Sequence, residues 1–207
     1  MKVLLVNGSP HKNGSTYIAL KEVETALNAE GVETSIVWLG TEALSGCMAC
    51  EYCSRNNKCI KNDIVNDFAA RAKNADGFVF GTPVHYAGAS GSITSFLDRL
   101  FYSAPADTFR HKPAAVITAA RRGGTTAAYD QLIKYPAIAE MPIISSNYWN
   151  MVHGLKAEDV PEDREGMQCM RILGKNMAYF LKCIDAGKKA GVKIPEPEKR
   201  DVTNFIR

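Results

Sequence analysis

Lys2-Val3-Leu4-Leu5-Val6-Asn7-Gly8-Ser9-Pro10-His11-Lys12-Asn13-Gly14-Ser15-Thr16 stands near the start of the chain, and its reading decides the fold. Lys2–Val6 is a short apolar run without polar alternation, the pattern of a strand buried on both faces. Glycine, proline and small polar residues follow at once and mark a tight turn. A helix is expected from about Ser15 to Ala29. Strand, tight polar turn and helix in that order is the opening of a βαβ unit, which needs a parallel neighbour strand.

The rest of the chain repeats the alternation. Val32–Trp38 reads as a second strand and is followed by a cysteine-rich loop, residues 45–62. A helix over Ile64–Asn74 leads to a third strand, Gly77–Gly81, and a helix over Ser92–Tyr102 to a fourth, Ala114–Ala119. A helix near Thr126–Ile133 is expected to stop before Pro136. Ile143–Trp149 reads as the fifth strand. A long helix from about Glu162 to Ala186 presents Met167, Met170, Leu173, Met177, Leu181 and Ile184 on one face. Strands without alternation, separated by helices, imply an α/β three-layer sandwich with helices on both faces of a five-stranded parallel sheet. The doubly wound order 2-1-3-4-5 places a ligand crevice outside the carboxyl ends of the strands. One domain over residues 1–187 is expected, with residues 188–207 as an extended tail carrying Pro195 and Pro197.

The 207 residues suffice for one substantial core, and 46% hydrophobic with 23% charged residues is ordinary for a soluble globular chain. The net charge of +3 is spread along the chain, with no basic stripe of the kind nucleic acid requires. The opening apolar run is too short for a signal peptide, and no stretch approaches a membrane span. A cytoplasmic protein without a membrane partner is therefore expected. In a reducing compartment its six cysteines point to metal or redox roles rather than a disulfide framework.

The turn after the first strand lies where such a sheet binds an anion. A helix amino terminus offers unpaired N–H groups and the positive end of its dipole. Ser9, Asn13, Ser15 and Thr16 add short hydrogen-bonding side chains. Five residues separate Gly8 from Gly14 where a Walker loop has four, and Ser9-Pro10 stands where a dinucleotide fingerprint needs its second glycine. The alternative is a polar turn in which Ser15 only caps the helix.

This segment resembles the phosphate loop of the flavodoxin-like NAD(P)H-dependent FMN reductases. The resemblance extends to Gly81-Thr82-Pro83-Val84-His85-Tyr86-Ala87-Gly88, to Ser95-Phe96-Leu97-Asp98-Arg99 and to Arg121-Arg122-Gly123-Gly124-Thr125. It implies a flavodoxin-like fold, an FMN phosphate held by Ser9, His11, Asn13, Ser15 and Thr16, and a flavin ring beside Pro83, Val84, His85, Tyr86 and Gly88. It also implies a pyrimidine side near Arg121, Gly123, Gly124 and Thr125. NAD(P)H is then the co-substrate. Tyr86 packed on the core, His85 as a solvated loop histidine and the paired arginines in solvent remain as plainer readings. Asn147-Tyr148-Trp149-Asn150 could wall a pocket, fill an oligomer interface or pack in the core.

Cys47-x2-Cys50-x2-Cys53-x5-Cys59 is the most unusual feature of the sequence. Thiolates at this spacing can turn inward around one centre. The pattern is similar to the cysteine motif of iron–sulfur flavoproteins, which implies a [4Fe-4S] cluster beside FMN. Zinc, a thiol–disulfide switch or a vestigial site are the alternatives. Cys169 and Cys183, on the last helix, are expected to be small buried residues.

Three functions follow. The first is an FMN-dependent NAD(P)H oxidoreductase serving a quinone, another small electrophile or a protein acceptor, with the flavin carrying the chemistry. No residue is then required as acid, base or nucleophile; His85 and Tyr86 are the nearest candidates. The second is an iron–sulfur flavoprotein that exchanges electrons through the cysteine loop. The third is a redox-responsive binding protein. A homo-oligomer, dimer or tetramer, is expected from the resemblance.

Overall fold

The computed structural model describes residues 1–198 and 201–205. Five parallel strands form the sheet: β1 (Lys2–Asn7), β2 (Glu33–Trp38), β3 (Gly77–His85), β5 (Ala114–Ala120) and β6 (Met151–His153). A two-residue strand, β4 (Gly88–Ala89), folds back antiparallel on the end of β3. The order is β2-β1-β3-β5-β6, which is the expected 2-1-3-4-5 once the hairpin strand is left out of the numbering. In register, Asn7 lies opposite Trp38 on one side and Gly81 on the other, so β1 and β2 end at one level while β3 runs on to His85.

Alternate residues of each strand enter two separate cores, as a sheet covered on both faces requires. Val3, Leu5, Val79 and Ile117 pack under α1 (Ser15–Ala29) and α6 (Arg164–Lys189). Leu4, Val6, Phe78, Phe80 and Val116 pack under α3 (Ile64–Ala72), α4 (Gly91–Ser103) and α5 (Thr125–Ile138). A short helix, α2 (Tyr52–Asn56), lies within the cysteine loop. Helices α1 and α6 cross closely at Gly174, where a Cβ would come within 2.6 Å of Ala26 Cβ. Of the six residues expected on the inner face of α6, Met170, Leu173, Met177 and Leu181 are buried, while Met167 and Ile184 sit at its edge.

The structure corrects three local expectations. The fifth strand is Met151–His153 rather than Ile143–Trp149. Ile143 makes only an isolated bridge to Ala114 before the chain leaves the sheet. An edge strand needs partners on one side alone, and here a three-residue ladder suffices. Helix α5 continues through Pro136 to Ile138. Proline removes its own amide bond and crowds the carbonyl four residues back, but Pro136 is buried and only two residues from the helix end, where few turns remain to be disturbed. Finally, Cys183 is exposed, unlike Cys169. Helix α6 ends at Lys189, and no regular structure follows over residues 192–198. The extended tail expected over 188–207 includes 199–200 and 206–207, which lie outside the described residues. Among the described residues no helix is long and apolar enough to cross a membrane.

Candidate functional site

The loop leaving β1 is tied down by its own backbone. Buried Asn7 accepts the Ser9 amide at 3.0 Å and donates through Nδ2 to the Lys12 carbonyl at 3.0 Å. Ser9 Oγ accepts the His11 amide at 3.1 Å, and the Ser9 carbonyl accepts from Trp38 Nε1 at 2.8 Å. Lys12 Nζ lies 5.7 Å from the Trp38 ring centroid, at cation–π range. These ties hold the turn against β2 with no help from a ligand. Asn7 and Trp38 were not among the expected site residues; the sequence shows them only as strand ends.

Helix α1 begins from an extended Gly14, and no side chain caps it. Ser15 is its first residue, so the reading of Ser15 as a mere cap does not hold. The first-turn amides face outward from the sheet edge unsatisfied, as helix ends do without a cap. Thr16 is 1% exposed and its Oγ1 has no hydrogen-bond partner. A buried hydroxyl left without a partner costs free energy, and here it stands beside unpaired amides at the positive end of a helix dipole. That is the donor set of a phosphate cradle. His11 and Asn13 are exposed on the loop's outer side, and Ser15 is half-buried.

The loop after β3 meets the first loop at two points. Gly8 N–H donates to the Gly81 carbonyl at 2.9 Å, and Ser90 Oγ donates to the Gly8 carbonyl at 2.9 Å. The Thr82 hydroxyl accepts the Ser90 amide and donates to the Pro83 carbonyl. Pro83 and Val84 are half-buried, whereas His85 and Tyr86 are exposed at the tip of the β3–β4 hairpin. Tyr86 is fully exposed, at 107%, so it is not packed on the core. Tyr86 and Ala87 carry φ of 49° and 59°, the two positive values of a type I′ turn. Such turns favour Asn-Gly; holding tyrosine and alanine there costs on the order of 1 kcal/mol each.

The loop after β5 packs directly on that hairpin. Gly124 has φ +95°, and a Cβ there would come within 2.6 Å of Ala87 Cα and 2.9 Å of Val84 Cγ1. Only glycine allows this approach. Thr125 is buried at the start of α5, Gly88 approaches Gln131 on the same helix, and Gly123 opens onto free space. Arg121 and Arg122 are exposed and make no ion pair among the described residues. Tyr148 and Trp149 are about half exposed and pack edge-on against each other rather than in the core. The structure thus brings the three expected loops to one edge of the sheet.

The cysteine loop is built differently. Cys47, Cys50, Cys53 and Cys59 line one cavity together with Arg99 and Tyr102. Ala49 and Glu51, on either side of Cys50, have φ of 49° and 56°, and this double left-handed bend turns the neighbouring cysteines inward. Burial pushes the Cys53 thiol up, and the sulfurs of Cys47, Cys50 and Cys59 push it further, against a lowering backbone hydrogen bond. The sulfurs of Cys47, Cys50 and Cys59 therefore lie within electrostatic reach of Cys53. Among the described residues no three His, Cys, Asp or Glu side chains are grouped tightly enough for a single metal ion. A tetrahedral zinc would need thiolates about 3.8 Å apart; a multi-iron cluster, with each thiolate on its own iron, takes a wider set. The cavity among them is small, about 20 Å³. Residues 40–50 make no side-chain or loop hydrogen bond to any described residue, and Leu44 packs on the core beneath them.

In the sequence Arg99 stands out only as the last residue of Ser95-Phe96-Leu97-Asp98-Arg99. Its side chain is 1% exposed, bonded to Asp63 through two nitrogens and to Cys59 Sγ through Nε at 3.3 Å. Burial opposes its charge, and the bonds from Asp63 and Cys59 more than offset that cost. Asn66 fixes Cys59 from the other side, accepting its amide and donating to its carbonyl, both at 3.0 Å.

The sequence profile of the NADPH-dependent FMN reductase family matches residues 1–156. This chain belongs to that family. Within it the chain stands near the iron–sulfur flavoproteins. It is 30% identical over 191 residues to an iron–sulfur flavoprotein of Methanocaldococcus jannaschii, covering 89% of this chain and 99% of that one. It is 28% identical over 189 residues to one from Archaeoglobus fulgidus, covering 85% and 95%. Among solved structures, RosB with a bound riboflavin-5'-phosphate intermediate superimposes with a TM-score of 0.71 at 14% identity, covering 100% of this chain and 94% of that one. An archaeal flavodoxin does so with a TM-score of 0.59 at 13% identity, covering 88% and 99%. At these identities the structural matches establish the flavodoxin-like fold alone. The family membership makes this FMN reductase relative a flavoprotein and a flavin-dependent oxidoreductase.

Proposed function

We propose that this FMN reductase relative holds an iron–sulfur cluster on Cys47, Cys50, Cys53 and Cys59. In this reading it moves electrons from a reduced nicotinamide dinucleotide, through FMN and the cluster, to a quinone, another small electrophile or a protein acceptor. One observation carries this reading. The four cysteines line a single cavity walled by α4, the helix whose preceding cap residue, Ser90, latches the two loops expected to hold the flavin. The names of the curated relatives support it.

FMN, when bound, exchanges electrons with a hydride donor and with one-electron partners. The chain's residues do the rest. The first-turn amides of α1, with the hydroxyls of Ser15 and Thr16, receive the phosphate. Ser9, His11 and Asn13 close its outer side. Pro83, Val84 and Gly88 give the ring a rigid wall, and His85 and Tyr86 are the side chains nearest its exposed edge. Gly123, Gly124 and Thr125 offer amide and hydroxyl donors to the pyrimidine side, and Arg121 places positive charge where reduced flavin is negative. The exposed apolar residues Met48, Tyr102, Ile138 and Trp149 suit a homo-oligomer, dimer or tetramer. A cytoplasmic setting, which keeps six thiols reduced, belongs to the same proposal.

A second reading, an FMN-dependent NAD(P)H reductase without a cluster, draws support from the narrow cysteine cavity. Anaerobic purification followed by an absorption spectrum, iron and sulfide analysis, and NADH and NADPH oxidation with added quinone separates the two. Flavin bands with stoichiometric iron and sulfide support the first. Iron-free protein with rapid quinone turnover supports the second. Protein that is colourless and takes up no added FMN overturns both.

A further inference from the structure

Arg99 heads the largest fully buried side chains, a full charge among phenylalanines and leucines. Burying a charge is expensive, and for stability alone a well-packed apolar residue would serve as well or better. The neighbours of the guanidinium show a further use. Nη1 and Nη2 bind the two Asp63 oxygens at 2.7 and 2.9 Å, and Nη2 also donates to the Lys61 carbonyl at 3.3 Å. This planar fork fixes the orientation of the third donor, Nε–H, which points to Cys59 Sγ. Asp63 is itself fixed, because Oδ1 caps α3 by accepting the Val65 amide at 3.1 Å. One carboxylate thus clamps a cation in a single pose beside one of the four cysteines.

We propose that Arg99 is a positioning residue that sets the reduction potential of the cluster, with Asp63 setting how much of its charge the cluster feels. The inference rests on the cluster reading given above. Reduction adds one electron and no proton to a centre already surrounded by thiolate anions. A hydrogen bond to a ligating sulfur and a buried cation stabilise the more negative state more than the less negative one. Little water intervenes to screen the charge. Asp63 opposes the cation, so removing either partner moves the potential in opposite directions.

The test is a dithionite titration of the anaerobically reconstituted protein, followed by electron paramagnetic resonance, with iron and sulfide counted in each sample. Arg99→Gln is expected to lower the equilibrium constant for cluster reduction roughly tenfold, about 59 mV for a one-electron couple. Arg99→Lys keeps the charge but loses the fork, and is expected to fall between. Asp63→Asn retains the helix cap and leaves the cation unopposed, and is expected to shift the potential the other way. The flavin potential serves as the internal reference and is expected to stay constant. A loaded Arg99→Gln protein with unchanged cluster potential overturns the proposal while leaving the cluster in place. If that variant does not load, Asp63→Asn decides: a loaded protein with an unchanged or more negative potential overturns the proposal. Wild-type protein that takes up no iron or sulfide overturns the cluster reading itself.

Discussion

The loop after β1 and the loop after β2 leave neighbouring strands at the same edge, yet they are held by opposite means. The first is latched internally by Asn7, Ser9 and Trp38 and needs no ligand to keep its shape. The second runs through residues 40–50 without a side-chain or loop hydrogen bond to the described residues; Leu44 packs on the core, and the polar anchors come at its far end from Asn66, Asp63 and Arg99. A preorganised cradle suits a ligand that comes and goes, since little ordering entropy is lost on binding. A loosely tied loop suits a centre that organises its own ligands, where metal binding supplies the ordering free energy.

The sharpest way to break this contrast is removal of the iron proposed for the cysteine loop. Treating anaerobic protein with a chelator is expected to speed amide exchange across residues 40–58 roughly a hundredfold, about 2.7 kcal/mol of local opening, with residues 7–16 unchanged. Equal responses in the two loops, followed by mass spectrometry, would remove the distinction. Next in size is Asn7→Ala, which strands the Ser9 amide and the Lys12 carbonyl in a buried site. A loss of about 2–3 kcal/mol in urea unfolding is expected, with weakened FMN binding by fluorescence titration.

Thr16→Val sharpens the comparison further. The hydroxyl has no partner in the protein, so unfolding free energy is expected to change by less than about 0.5 kcal/mol. Loss of a donor to phosphate is expected to weaken FMN about tenfold, or about 1.4 kcal/mol. A fall in stability without a fall in affinity would return Thr16 to a packing role.

The smallest effect lies on the α4–α5 side. Burial, with the hydrogen bond to Asp98, pushes the Tyr135 phenol well above its ordinary value. The native state therefore keeps a proton that the unfolded chain releases near pH 10. This contribution is complete below that pH and fades as pH rises towards the native value. Tyr135→Phe is expected to flatten the alkaline fall in melting temperature between about pH 10 and 11, while leaving both loops unaffected. A parallel fall in variant and parent would show that other groups govern the alkaline limb.

The gathering of the three expected loops at one sheet edge was legible in the sequence because it depends on local signals. Gly8–Thr16 shows its glycines and hydroxyls in order, and Gly123-Gly124-Thr125 shows a turn after the fourth apolar run. The Tyr86–Ala87 turn was not legible, because its positive φ values run against both residues' preferences and are imposed by the pairing of Val84 with Ala89. The edge strand was misplaced because Ile143 and Ile144 carry strand propensity, whereas pairing with β5 selects Met151–His153.

By itself the sequence determined the layer order, the strand order and the four cysteines as a set, since apolar periodicity and residue spacing are properties of the chain alone. Only the tertiary structure decided that Arg99, forty residues beyond Cys59, turns its Nε–H to that sulfur with Asp63 behind it. Packing α4 against α3 buries a guanidinium that must find every partner it can. Such a demand arises only once water is excluded, and no local pattern of residues records it.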